Sequence, residues 1–226
     1  MNRRAAVDWD AIDTVLLDMD GTLLDLRFDN WFWQELIPVR YAVRHGITAD
    51  AAARLLAPKF RAAVGTIDWY CIEHWSRELG LDIGAIKHEA RAEVRYLPGA
   101  LEFLGALRGL GKRRVLVTNA HPQTLAIKNL TVDIERHVDA SYTAHPFTVP
   151  KEHPGFWARL REHEPFEPQR TLFVDDNVDV LESARGYGIR HLRAIRRPDS
   201  GRPPKDTRDF IAVDRLADLI GEAGSA

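Results

Sequence analysis

The sequence predicts an α/β fold: a doubly wound parallel sheet with an all-helical segment inserted after its first strand. Three observations predict it. Short apolar runs alternate with helical patterns along the chain. The clearest of these runs are followed at once by polar or acidic residues. The first run is separated from the second by a helical stretch far too long for an ordinary βα loop.

The first run is Thr14-Val15-Leu16-Leu17, and Arg114-Val115-Leu116-Val117, Thr171-Leu172-Phe173-Val174 and Gly188-Ile189-Arg190-His191-Leu192 follow. The first three are apolar at consecutive positions, as expected of parallel strands buried on both faces. Residues 137–142 are a weaker strand candidate. Pro98-Gly99 opens a helical run through Leu101, Leu104, Leu107 and Leu110 that stops at Gly111. Further helices are predicted over 122–130, 154–163 and 178–187, the last closed by Gly188 as a C′ residue. Residues 26–96 hold no strand-like run. They carry helical patterns over 28–44, 49–64, 68–79 and 83–94, with breaks near Gly46, Gly65 and Gly80 to Gly84. Trp31, Trp33, Trp69 and Trp75, four of six tryptophans, lie here. The expected division is a core of residues 1–25 and 97–226 with a small helical domain, 26–96, as a lid over the sheet edge.

With 226 residues, 45% hydrophobic and 28% charged, the chain is neither mostly disordered, collagenous nor a coiled coil. It is long enough to bury about 70% of its unfolded surface without a disulfide or metal staple. Lys and Arg number 31 against 33 Asp and Glu, a net charge of −2. That leaves no basic excess for nucleic acid, while a small anion needs only a few local groups. Cys71 is the only cysteine, read as a small buried hydrophobe in a helix of a protein from a reducing compartment. No apolar run reaches the roughly 18 residues of a membrane helix. The first 13 residues lack a signal-peptide core, so a cytoplasmic protein with no membrane partner is expected. Nothing in the pattern specifies an oligomeric state.

The first run leads into Asp18-Met19-Asp20-Gly21-Thr22. Two carboxylates so close beyond a buried strand repel, and one takes up a proton unless a cation lies between them. Ligands of α/β sheets bind at this position, although a turn with a helix cap uses the same residue types. The other strand ends carry Thr118-Asn119, ordinary turn residues alone, and Asp175-Asp176-Asn177, a second acidic pair. Lys151 follows Val149-Pro150, where a lone lysine is normally solvated. In a parallel sheet all of these converge on one cavity. Gly186-Tyr187-Gly188 lacks the third glycine of a dinucleotide loop and precedes a strand, so it reads as a helix C-cap. No P-loop, His-Glu-x-x-His or Cys-x-x-Cys occurs, and no zinc site is expected.

These motifs resemble those of the haloacid dehalogenase (HAD) superfamily of phosphatases. Asp18-Met19-Asp20-Gly21-Thr22 is similar to its first motif, Thr118 with Asn119 to its second, Lys151 to its third and Asp175-Asp176 to its fourth. The segment before Tyr96-Leu97-Pro98-Gly99 resembles its C1 helical cap, inserted into a Rossmann-like core. A closer resemblance, to the bacterial GMP/IMP nucleotidases of this superfamily, rests on Leu16 to Leu26 with Phe28-Asp29-Asn30 and Phe32-Trp33. It rests also on Trp69-Tyr70-Cys71, Thr118-Asn119-Ala120-His121-Pro122, Asp175-Asp176-Asn177 and Pro198-Asp199-Ser200-Gly201.

The resemblance implies a phosphomonoester hydrolase. Asp18 would be the nucleophile that forms an aspartyl-phosphate, and Asp20 the acid and then the base. Thr118, Asn119 and Lys151 would bind the phosphoryl group. Mg²⁺ would be held by Asp18, the Asp20 carbonyl, and Asp175 with or without Asp176, since oxygen-only ligands favour it over zinc. Asp179 either orients metal waters or is an exposed helix acid. The substrate would be a small phosphorylated metabolite, above all a purine nucleoside monophosphate. Phe28, Trp31, Phe32, Trp33, Trp69 and Tyr70 either stack on a purine or fill a helical core. Asp29, Asn30, Arg40, Lys59 and Arg61 are polar candidates for base or ribose. Phosphoglycolate-like and sugar phosphates are the alternative substrates. A phosphomutase shares the core, a dehalogenase needs neither Asp20 nor a metal, and a receiver-like domain is about half this length.

Overall fold

The computed structural model describes residues 7–220; the outermost parts of the expected core, 1–6 and 221–226, and the start of the N-terminal stretch read for a signal peptide lie outside them. Strand β1 (Thr14–Leu17) leads into the helical segment: α1 (Arg27–Trp31), a π-helical turn (Phe32–Leu36), α2 (Ile37–His45), α3 (Ala49–Ala63), α4 (Ile67–Tyr70), α5 (Ile72–Leu79) and α6 (Ile83–Ala90). The chain then alternates: α7 (Ala100–Gly109), β2 (Arg113–Thr118), α8 (Pro122–Val132), β3 (Ala140–Thr143), α9 (Phe156–His163), β4 (Thr171–Asp175), α10 (Val178–Tyr187), β5 (His191–Ile195) and β6 (Ala212–Val213). All strand pairings are parallel, in the order β3-β2-β1-β4-β5-β6. Winding reverses between β1 and β4, which opens a crevice beyond their carboxyl ends.

β1 shows why the central strands read as continuous apolar runs. Val15 and Leu17 pack into one hydrophobic cluster, and Leu16 into the cluster on the other face with Val115, Trp157 and Phe173. Period-two alternation persists, but both faces are dry. The first cluster continues into the helical segment through Phe28, Phe32, Leu56, Trp75 and Ile86. The segment and the sheet therefore share one hydrophobic core.

Several boundaries move for physical reasons. The predicted strand 188–192 starts later, at His191, because Gly188 (φ +102°) still closes α10 and Arg193 interrupts the apolar pattern. The weak candidate 137–142 becomes a 3₁₀ turn ending at His137 and the half-buried edge strand β3. β6 has only two residues and leaves no readable run. The 28–44 pattern is one continuous path whose π-turn immediately precedes α2, which carries Pro38 in its first turn, where proline lacks an N–H to donate. The 68–79 pattern is broken at Cys71 (φ −85°, ψ 117°), whose Sγ accepts from His74 N at 3.4 Å and caps α5. Cys71 is thus a half-buried cap at a helix break, not a buried residue within a helix.

Candidate functional site

The sheet register sets the site. Leu17 pairs with Leu116 on one side and Val174 on the other, so Asp18 and Asp175 leave their strands at one level. Asp18 N donates to Val174 O at 3.0 Å, which fixes the first residue beyond β1. Lys151 reaches into this point: its Nζ donates to Asp18 Oδ1 (2.5 Å), Asp175 Oδ2 (2.7 Å) and Val117 O (3.0 Å). Asn119 holds the lysine's backbone, accepting from Lys151 N at 2.8 Å through Oδ1, while its Nδ2 donates to Glu152. Thr118 Oγ1 accepts from Ala120 N (3.0 Å), leaving its own proton to donate. Asp176 lies across from Asp18 and accepts from Lys205 Nζ at 2.9 Å. The sequence-selected residues Asp18, Asp20, Thr118, Asn119, Lys151, Asp175 and Asp176 all line one cavity of about 490 Å³.

Electrostatics mark this floor as short of positive charge. Burial pushes the Asp18, Asp175 and Asp176 carboxyls up to about 6; Lys151 opposes this at the first two and Lys205 at the third, while neighbouring acids reinforce it. One buried ammonium cannot neutralise two carboxylates with a third beside them. Oxygens of Asp18, Asp175 and Asp176 lie within 4.8 Å of one another. An all-carboxylate group of this kind, buried and under-neutralised, fits a hard divalent cation such as Mg²⁺. The Asp20 side chain is not part of it, since it turns toward Lys128.

That turn belongs to a chain of ions the sequence reading missed. Lys128, fully buried on α8, donates to Asp20 Oδ1 (2.6 Å) and Asp29 Oδ2 (2.5 Å). Lys87 on α6 donates to Asp29 Oδ1 (3.0 Å) and lies 4.4 Å from the Phe32 ring centroid. Burial raises the Asp20 carboxyl to about 6, with Asp29 adding and Lys128 opposing. Burial alone would raise Asp29 too, but Lys128 and Lys87 outweigh it and hold that carboxyl at about 2. The chain runs from the helical segment through Asp29 into the strand-end cluster.

Above the floor, Trp33, Phe60, Trp69 and Tyr70 form an aromatic wall, with Asn30, Gln34 and Arg61 among its polar groups. Trp33 and Trp69 lie 6.2 Å apart, and Phe60 meets the buried Trp75 edge-on at 5.0 Å. Tyr70 OH donates to Glu152 Oε1 at 3.0 Å. Other candidates fall elsewhere. Phe28 and Phe32 are core residues, and Trp31 faces a second hollow. Arg40 and Lys59 form exposed pairs with Glu89 and Glu78 away from the cavity. Asp179 is exposed and paired with Arg208 at 2.8 Å, so it is the helix acid of the two readings. The block from Pro198 to Gly201 anchors α1: Pro198 O accepts from Leu26 N, and buried Asp199 from Asn30 Nδ2 at 2.6 Å. Phe60, Glu152 and Lys205 carried no sequence signal of their own. Contrary to the expectation of no histidine or cysteine cluster, Cys71, His121 and His145 meet beside this cavity's wall.

Gly21 bears on the geometry directly. Its φ is +92°, and a Cβ there would stand 2.7 Å from the Asp176 carboxyl carbon. Gly21→Ala is expected to destabilise the protein by about 1–3 kcal/mol. Denaturant unfolding with an unchanged m-value checks this; a loss below about 0.5 kcal/mol contradicts the close approach.

Comparison with known proteins places the chain in a family. GMP/IMP nucleotidase YrfG of Escherichia coli (strain K12) is 40% identical over 214 residues, 95% of this chain and 96% of that protein. The HAD phosphatase from Thermococcus onnurineus superposes with a TM-score of 0.77 at 19% identity, over 92% of this chain and 95% of that one. The L-2-haloacid dehalogenase from Xanthobacter autotrophicus with covalently bound chloropropionic acid gives 0.62 at 17% identity, over 92% and 97%. The last two show the shared fold. Among the described residues no helix is long and apolar enough to cross a membrane. Residues 12–188 match the haloacid dehalogenase-like hydrolase family, and with the parallel sheet and its strand-end acids they lead to one conclusion: the chain belongs to that family.

Proposed function

We propose that the protein is a Mg²⁺-dependent phosphomonoester hydrolase acting on purine nucleoside 5′-monophosphates, GMP and IMP foremost, through an aspartyl-phosphate. The observation that carries this is a single cavity with a phosphate-sized acid and lysine floor under an aromatic wall. The 40% identity to a GMP/IMP nucleotidase supports the choice of substrate. Residues 26–96 act as the cap that carries the base-facing wall.

Mg²⁺, when bound by Asp18, Asp175, Asp176 and the Asp20 carbonyl, would screen the phosphate from the acids and polarise it. The residues do the rest. Asp18, fixed by its backbone bond to β4 and by Lys151, attacks phosphorus from its free oxygen in line with the departing nucleoside oxygen. Asp20, raised by burial and by Asp29, carries the proton for that oxygen and then takes one from the attacking water. Thr118 donates its hydroxyl to the phosphoryl oxygens, and Lys151 sets its positive charge beside them as negative charge develops. Trp33 and Trp69 offer flat faces to a purine, with Asn30, Gln34 and Arg61 to read its edge. The lysine-held acid cluster accounts for phosphate chemistry better than for dehalogenation, which needs no second aspartate.

Phosphate release across GMP, IMP, AMP, CMP, phosphoglycolate and sugar phosphates tests the substrate. GMP and IMP are expected to exceed the non-nucleotides in kcat/KM by at least about 100-fold. A sugar phosphate at the top of the series overturns the nucleotidase reading and leaves the phosphatase one. EDTA is expected to abolish release and added Mg²⁺ to restore it; full activity in EDTA contradicts the metal assignment.

A further inference from the structure

We propose that Cys71, His121 and His145, with Glu73 completing the set, form a second metal site that takes a zinc-like divalent ion and ties the helical segment to the sheet. One ligand atom from each of Cys71, His121 and His145 lies within 4.8 Å of the other two. The three come from separate parts of the fold. Cys71 sits at the break between α4 and α5, His121 caps α8 just beyond β2, and His145 follows β3. No spacing motif joins them, and only the tertiary structure brings them together.

Glu73 already touches two of the three. Its Oε2 lies 2.9 Å from His121 Nε2 and accepts from Cys71 Sγ at 3.4 Å. Both atoms thus stand against one carboxylate oxygen, which an ion bound among them would gain as a fourth donor. His145 supplies the independent observation. Both of its ring nitrogens are buried and neither makes a hydrogen bond of good geometry, although the Ala120 backbone lies near enough to act on the ring. A buried imidazole left unpaired is costly, and coordination satisfies it. Its ring stands edge-on to His121 with centroids 4.7 Å apart.

The donor set decides the ion. One thiolate, two imidazoles and a carboxylate suit zinc or cobalt and not Mg²⁺. Bonds of about 2.0–2.3 Å in a tetrahedron separate ligand atoms by roughly 3.3–3.8 Å, so the three ligand atoms, within 4.8 Å of one another, must draw together and the Glu73 carboxylate, outside that group, must turn in to join them. On binding, the Cys71 thiol releases its proton to solvent. The His121 ring proton moves to Nδ1, which gives up its long bond from Gln123 N (3.2 Å). The ion would sit beside the substrate cavity, because Tyr70, the neighbour of Cys71, lines its wall. It would also span the two parts of the fold that define that cavity.

The test is cobalt titration of the full chain saturated with Mg²⁺. Cys71 is the only cysteine, so a thiolate-to-cobalt charge-transfer band has one source. The band is expected to saturate at one equivalent and to be bleached by Zn²⁺. His145→Ala and His121→Ala are each expected to weaken cobalt binding at least tenfold, and Cys71→Ser to remove the band. His145→Phe, which fills the same space, serves if His145→Ala does not fold. Zn²⁺ is expected to raise the melting midpoint of the unaltered protein and not that of Cys71→Ser. No band at excess cobalt, or a band of undiminished affinity in both histidine variants, overturns the proposal. Neither result depends on phosphatase activity.

Discussion

Asp18→Asn is expected to lower kcat by roughly 10⁴–10⁶-fold while leaving the protein folded. The amide keeps the shape of the carboxylate but cannot form the acyl phosphate. Its effect on stability has a definite sign. Asp18 is 6% exposed and shares one lysine with Asp175, while Asp176 stands nearby. Removing one of three crowded negative charges relieves repulsion that Lys151, with Lys205 held at Asp176, does not cancel. The melting midpoint without Mg²⁺ is therefore expected to equal or exceed that of the parent. Phosphate release and thermal unfolding on one preparation check both halves. Residual turnover within tenfold of the parent removes Asp18 as nucleophile.

Lys128→Met is expected to produce the largest loss of stability among single changes near the cavity, about 3–5 kcal/mol at pH 7. Methionine fills most of the volume but leaves the Asp20 and Asp29 carboxylates facing one another with Lys87 alone beside them. Adding Asp29→Asn is expected to recover part of the loss, with a coupling of about 0.5–3 kcal/mol. The pH dependence follows from linkage. In the variant, the folded carboxylates bind protons more readily than the unfolded ones, so stability rises as pH falls and the deficit narrows toward pH 5. Denaturant unfolding of the four proteins at pH 7 and pH 5 makes the measurement. A loss below about 0.5 kcal/mol for Lys128→Met contradicts a buried bridge.

The motif residues were legible in the sequence because each stands at the end of a strand, just beyond it, or in the loop between one and the next helix, where a buried run meets polar side chains. β1, β2 and β4 were legible for a related reason: both faces of each strand are dry. The ion chain was not legible, because Asp29, Lys87 and Lys128 sit inside helical patterns, where charges are ordinarily solvated. A signal existed all the same. Lys128 lies three residues after buried Leu125, and Lys87 four after buried Ile83, so each places a charge on an apolar face. Cys71 misled because no glycine or proline marks the helix break that it caps. Arg40 and Lys59 point outward on α2 and α3, whose buried faces carry Ile37, Ala42, Ala52 and Leu56, a distinction their isolated positions did not give. The two-residue β6 and the meeting of His145 with Cys71 depend on tertiary contacts alone.

In the proposed reaction Asp18 itself takes the phosphoryl group. Single-turnover reaction with GMP, acid quench, borohydride reduction and peptide mass mapping tests it most directly, since reduction of an aspartyl-phosphate leaves homoserine at that position. Homoserine is expected at residue 18, at no other aspartate, and only when Mg²⁺ and substrate are both present. Homoserine at Asp20, Asp175 or Asp176, or none at all while phosphate is released, would contradict it.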